Sequence, residues 1–83
     1  NVLITHGPPY GVLDKVPRRG GPPEYTGCPE LAKRVKVINP TLHVFGHIHV
    51  GAGSFRRAPI FFCNASMANE NHEVIRVPQI FEI

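Results

Sequence analysis

Three histidines stand where apolar runs stop. Val2-Leu3-Ile4-Thr5 leads into His6-Gly7-Pro8-Pro9, and Leu42-His43-Val44-Phe45 leads into Gly46-His47-Ile48-His49. Open α/β sheets gather ligands at the carboxyl ends of their strands, and neutral imidazole is the commonest protein ligand for transition metals. His47 and His49 are two residues apart, so on an extended backbone they face the same side, and Gly46 lets the chain turn as the strand ends. Read alone, this His-x-His is a weak signal, and a pair of loop histidines bonded to backbone carbonyls is the plainer reading. His6 at an equivalent strand end tips the reading toward metal, because three imidazoles make a shell for Zn, Mn or Fe.

The elements that must position these residues are legible in outline. Asn1 to Thr5 reads as a buried strand, aliphatic and β-branched. Residues 7–27, rich in Pro and Gly, read as a long irregular loop of the kind that is usually functional or mobile. A helix is predicted over Pro29–Ile38: Pro29 suits its first turn, Glu30 its amino end, Leu31, Val35 and Ile38 share a face, and Asn39-Pro40 stops it. Leu42 to Phe45 reads as a second buried strand. The first strand, the helix and this strand make a β–α–β unit with parallel strands and a right-handed crossover. Beyond Gly53, Ser54–Arg57 and Ile60–Cys63 suggest a hairpin, Asn64 to Glu73 a polar loop, and Val74–Val77 and Ile80–Ile83 short closing strands. The fold class is α/β, a β–α–β unit followed by short antiparallel strands.

The chain has 83 residues, 42% of them hydrophobic. That is enough for one small domain burying roughly 60–65% of its unfolded surface. No apolar run approaches the roughly 18 residues of a membrane helix. The net charge is +3 and the pI about 9.2, which favours anionic partners in a general way. The cations are spread along the chain without interleaved aromatics, which argues against nucleic acid. Cys28 and Cys63 form no CxxC pair, so neither a zinc knuckle nor a disulfide framework is expected, and a reducing cytoplasm fits. Cys63, within Ile60-Phe61-Phe62-Cys63, reads as a small core residue. The sequon Asn64-Ala65-Ser66 abuts an apolar strand and is discounted. The chain opens inside a strand, with Met67 as its sole methionine, which suggests a piece of a longer protein.

Other residues have competing readings. His43 alternates with Leu42 and Val44 and reads as a hydrogen-bonded structural histidine; His72, among Asn69-Glu70-Asn71, reads as solvated. Asn64 is placed to bond the pocket loop, and thus help bind substrate, or to cap a turn. Arg18 and Arg19 are candidates to reach a phosphate, against the plainer reading of solvated loop cations. Tyr10 and Tyr25 either meet a substrate base or cover the core. Asp14 is the single aspartate.

Thr5-His6-Gly7-Pro8-Pro9 and Gly46-His47-Ile48-His49 resemble the last two signature motifs of the calcineurin-like metallophosphoesterases. The likeness extends to the metallophosphoesterase-domain-containing branch through Gly27-Cys28-Pro29-Glu30-Leu31, Leu42-His43-Val44-Phe45-Gly46 and Asn64-Ala65-Ser66, and so runs over residues 1–83. The resemblance implies the carboxy-terminal half of an αββα sandwich, residues 1–83 being a single partial domain. It implies a site of two divalent metal ions (Mn, Fe or Zn), with His6 and His47 on one ion and His49 on the other. The implied activity is hydrolysis of a phosphate ester, a nucleotide among the candidates, by a metal-activated hydroxide.

The family's earlier motifs, Asp-x-His, Gly-Asp-x-x-Asp and Asn-His, are missing, and Asp14 matches none of them. Three neutral histidines cannot offset the charge of two divalent cations. Catalysis is therefore expected to need an amino-terminal half as partner. Two alternatives stand beside this reading: an inactive nucleotide-binding or partner-binding module of the same fold, and a self-contained three-histidine zinc site.

Overall fold

Pro29 and Asn39 bracket the helix at its expected bounds in the computed structural model, which describes residues 1–68 together with Asn71, Glu73, Val74, Arg76 and Gln79. The Cys28 thiol caps the helix α1 (Pro29–Ile38) by accepting the Leu31 amide at 3.4 Å. Asn39 ends it in the left-handed conformation (φ 53°), its amide donating to the Val35 carbonyl at 2.8 Å. Val35 is buried and Leu31 packs against the core, worth about 1.5–3 kcal/mol for a fully buried side chain of this size. Ile38 was expected on the same stripe but is exposed, lying in the last turn beside the Asn39 cap.

Four strands form one mixed sheet in the order β1 (Val2–Ile4), β4 (Leu42–Phe45), β6 (Ile60–Asn64), β5 (Gly53–Arg57). β1 and β4 run parallel with Val2 opposite Leu42 and Ile4 opposite Val44, as the β–α–β reading requires. β6 runs parallel to β4 and antiparallel to β5, completing the expected hairpin. Alternation places Leu3, Phe45, Ile60 and Phe62 on one face, where they join Val12, Leu13, Leu31 and Val35 in the core.

Two expectations change. β1 is not buried on both faces: Val2 is 44% and Ile4 75% exposed, because β1 lies at the sheet edge and these two side chains point away from the core face. The supposed irregular loop contains an antiparallel ribbon, β2 (Lys15–Arg18) and β3 (Gly21–Tyr25), turning at Arg19-Gly20 with Gly20 at φ 75°. Proline reads as a strand breaker, yet a two-stranded ribbon consists of edges, where Pro17, Pro22 and Pro23 leave no central ladder bond unmade. Of the closing strands, residues 75, 77, 78 and 80–83 lie outside the described residues; Val74 makes one bridge with Ala68. His72 also lies outside them. No described helix is long and apolar enough to cross a membrane.

Candidate functional site

The parallel pairing of β1 and β4 sets the two histidine loops side by side. The Thr5 amide donates to the Val44 carbonyl at 3.0 Å, carrying the pairing one step past β1. The Gly46 amide then donates to the His6 carbonyl at 3.0 Å, joining the loops themselves. The His6 and His47 rings meet with centroids 4.6 Å apart and planes tilted by 40°. Both histidines are exposed, and they line an open depression of about 400 Å³ shared with Thr26 and Cys28.

His47 holds an uncommon backbone conformation. The Ile48 amide donates to the Gly46 carbonyl at 2.8 Å, closing a three-residue turn around His47, whose φ is 71°. A γ-turn with positive φ is rare and strained, and such strain costs on the order of 1–3 kcal/mol in a residue with a β-carbon. The turn swings the imidazole toward His6 instead of continuing the strand's direction.

His49 does not join the pair in the depression. It opens a short 3-10 turn (His49–Gly51) and is half-buried. Among the described residues no group of three or more His, Cys, Asp or Glu side chains is placed to hold a metal ion. The self-contained three-histidine zinc site is therefore not formed. His6 and His47 remain as a pair of imidazoles at adjacent strand ends, side chains of a type that could hold a transition metal.

Neither Arg18 nor Asn64 lines the His6–His47 depression. Arg18 pairs with Glu24 at 2.7 Å on the exposed ribbon and, with Tyr10 and Tyr25, lines a different depression. The two tyrosine rings are 5.6 Å apart, forming a small aromatic patch there. Asn64 is 0% exposed. Its amide donates to the Ile48 carbonyl at 2.8 Å and the Leu13 carbonyl at 3.3 Å, while its side-chain oxygen accepts the Ser66 amide at 3.2 Å. It bonds the pocket loop from beneath and caps the following turn, so both structural readings hold at once. Another hollow, of about 340 Å³ between α1 and the β5–β6 turn, is lined by the core residues Val35 and Phe62 together with exposed ones such as Tyr10, Lys36 and Arg57.

Two supporting residues carry more than their sequence context suggested. His43 is 0% exposed between the rings of Phe45 and Phe62. Its Nε2 lies 2.9 Å from Thr5 Oγ1, and burial lowers its pKa from 6.5. Asp14 is buried with Oδ2 accepting the Gly11 amide at 2.9 Å and the Gly27 amide at 2.8 Å. It ties together the two stretches of chain that flank the ribbon, at Gly11 and Gly27. A lone aspartate between turn-forming glycines was the available sign of this role.

By fold and site this is an α/β unit with paired imidazoles where open sheets bind ligands. No protein-family model matches the chain. Curated relatives do match over its whole length: Metallophosphoesterase domain-containing protein 1 of Homo sapiens and that of Mus musculus, each 39% identical over 84 residues. A UPF0046 protein of Caenorhabditis elegans is 39% identical over 83 residues, again across the whole chain. The chain belongs to the family of metallophosphoesterase domain-containing proteins. It spans about a quarter of the length of these relatives, 25% of the human and mouse proteins and 27% of the nematode one.

Proposed function

We propose that residues 1–83 are the carboxy-terminal portion of a metal-dependent phosphoesterase domain, supplying histidine ligands to a site that the rest of the domain completes. The observation that carries this reading is the His6–His47 pair, brought to 4.6 Å at the ends of adjacent parallel strands. His6 and His47 would hold one divalent cation, and His49 would reach a second one in the complete domain. Such cations supply Lewis acidity to a phosphoryl oxygen and lower the pKa of bound water. Imidazole binds without adding charge, which keeps a cation electrophilic; the aspartates that offset its charge would come from outside this chain. The positive balance of +3 favours approach of a phosphate ester, a nucleotide among the candidates.

The exposed Val2 and Ile4 support the αββα sandwich. A parallel sheet is ordinarily covered on both faces, and α1 covers only the face opposite these side chains. A second sheet from the remaining domain would cover the other. Two cysteines without a disulfide are consistent with a cytoplasmic setting.

The test is phosphodiester hydrolysis and Mn(II) titration of the full-length protein with His6→Ala and His47→Ala. Each variant is expected to lose hydrolysis at least 100-fold and to bind metal more weakly. Unchanged hydrolysis in both would defeat the reading. Nucleotide binding with no turnover at any metal concentration would instead favour a binding module of the same fold.

A further inference from the structure

We propose that Thr5 and His43 are positioning residues for the histidine pair, acting through a hydrogen-bond chain of fixed polarity that runs from the core to the His6-Gly7 turn. The inference rests on the metal-site reading above for its consequence, but on independent geometry for its substance.

Thr5 has one hydroxyl proton. It donates that proton to the Gly7 carbonyl at 2.8 Å, an oxygen that can only accept. The 2.9 Å contact between Thr5 Oγ1 and His43 Nε2 must then have the imidazole as donor. His43 is thereby assigned as the Nε2–H tautomer. Its Nδ1 is buried and has no partner among the described residues, so a proton there would be an unpaired donor in an apolar place, which is costly. Burial works in the same direction by holding the ring neutral. Phe45 and Phe62, with ring centroids 5.0 and 5.7 Å away, fix the imidazole plane.

The chain of bonds ends at the turn that carries His6. Thr5 precedes His6, Gly7 follows it, and the Thr5–Gly7 bond closes the backbone around it. The same turn is where His47 leans: the His47 Cδ2 atom lies 4.0 Å from the position a Gly7 β-carbon would occupy. A shift of the Gly7 peptide therefore moves both imidazoles relative to each other. Groups that orient ligand histidines from behind commonly alter metal affinity 10- to 100-fold when removed.

The experiment compares Thr5→Val, which keeps the shape and deletes the hydroxyl, with Thr5→Ser, which restores it, in the full-length protein. Histidine ring NMR of the metal-free protein is expected to show His43 as the Nε2–H tautomer. In Thr5→Val the His6 and His47 ring signals shift, and Mn(II) affinity falls about 10- to 100-fold. Thr5→Ser keeps wild-type ring signals and stays within about threefold of wild-type affinity. An Nδ1–H tautomer at His43 would overturn the proposal, as would a Thr5→Val protein with unchanged ring signals, or a Thr5→Ser protein as impaired as Thr5→Val. A wild-type protein that takes up no Mn(II) would end the metal-site reading alone; the ring signals of Thr5→Val would still decide the positioning role.

Discussion

The backbone amide of Gly46 is bonded to the carbonyl of His6 across 3.0 Å. The two histidine loops are thus fastened by main chain, and the exposed imidazoles carry little of the scaffold's stability. His6→Ala should change unfolding free energy by no more than about 0.5 kcal/mol, the range of surface substitutions. Urea denaturation beside metal titration checks this: a large loss of stability would mean that the ring itself holds the loop.

His47→Gly should separate stability from ligation. Glycine adopts positive φ without strain, so relief at φ 71° is expected to raise stability by up to about 1 kcal/mol, while metal uptake falls. Denaturant midpoints and Mn(II) binding on the same variant give both numbers. A protein less stable than wild type would contradict the strain.

Asn64→Ala should be among the most damaging single changes in the chain. It strips the Ile48 and Leu13 carbonyls of their amide donor in a site with no solvent access. Each buried unpaired group costs about 1–3 kcal/mol. Asn64→Asp is expected to be no better, since a carboxylate cannot donate to a carbonyl. Equilibrium unfolding of both variants is the measurement.

Stability should decline on mild acidification through His43. Burial holds its pKa below 6.5 in the folded chain, so the unfolded chain binds the proton first as pH falls. The contribution is complete above about 6.5 and is lost as pH drops from there toward the depressed folded value. One proton gives a slope of at most about 1.4 kcal/mol per pH unit. Unfolding free energies between pH 5 and 8 should show this slope in the wild type and a flatter one in His43→Leu.

Alkylation should distinguish the two thiols. Cys28 is exposed at the start of α1, whereas Cys63 is buried and burial raises its pKa. Iodoacetamide followed by mass spectrometry should label Cys28 in the native protein and Cys63 only after denaturation. Native labelling of Cys63 would show that β6 opens readily.

The sequence told most about elements whose signals are local. Pro29, Glu30 and Asn39-Pro40 delimited α1 to the residue, and the apolar runs at Val2–Ile4 and Leu42–Phe45 located β1 and β4. The cap itself was missed, since cysteine is not among the usual capping residues. The ribbon was hidden by Pro17, Pro22 and Pro23, whose strand-breaking force applies to central strands. Exposure of Val2 and Ile4 depends on what lies beside the sheet, which an apolar run cannot reveal. At the site, His6 and His47 were legible because each ends a strand, but the turn that parts His49 from them depends on a backbone reversal at a non-glycine residue. The bond of Asp14 to Gly27, and those of Asn64 to Leu13 and Ile48, connect positions remote in the chain and have no periodic signature.

The turn at Leu13 and the His49 loop share Asn64, and they also abut directly. A side chain at Gly51 would strike the Leu13 carbonyl, just as one at Gly27 would strike that of Pro9. The foot of the ribbon is therefore a locked seam, whereas its tip at Arg19-Gly20 is open to solvent. Extra residues grafted at the tip would leave the imidazoles undisturbed, so that is the place to attach a fluorophore or an affinity handle. A single added methyl group at the seam would be felt at the pocket.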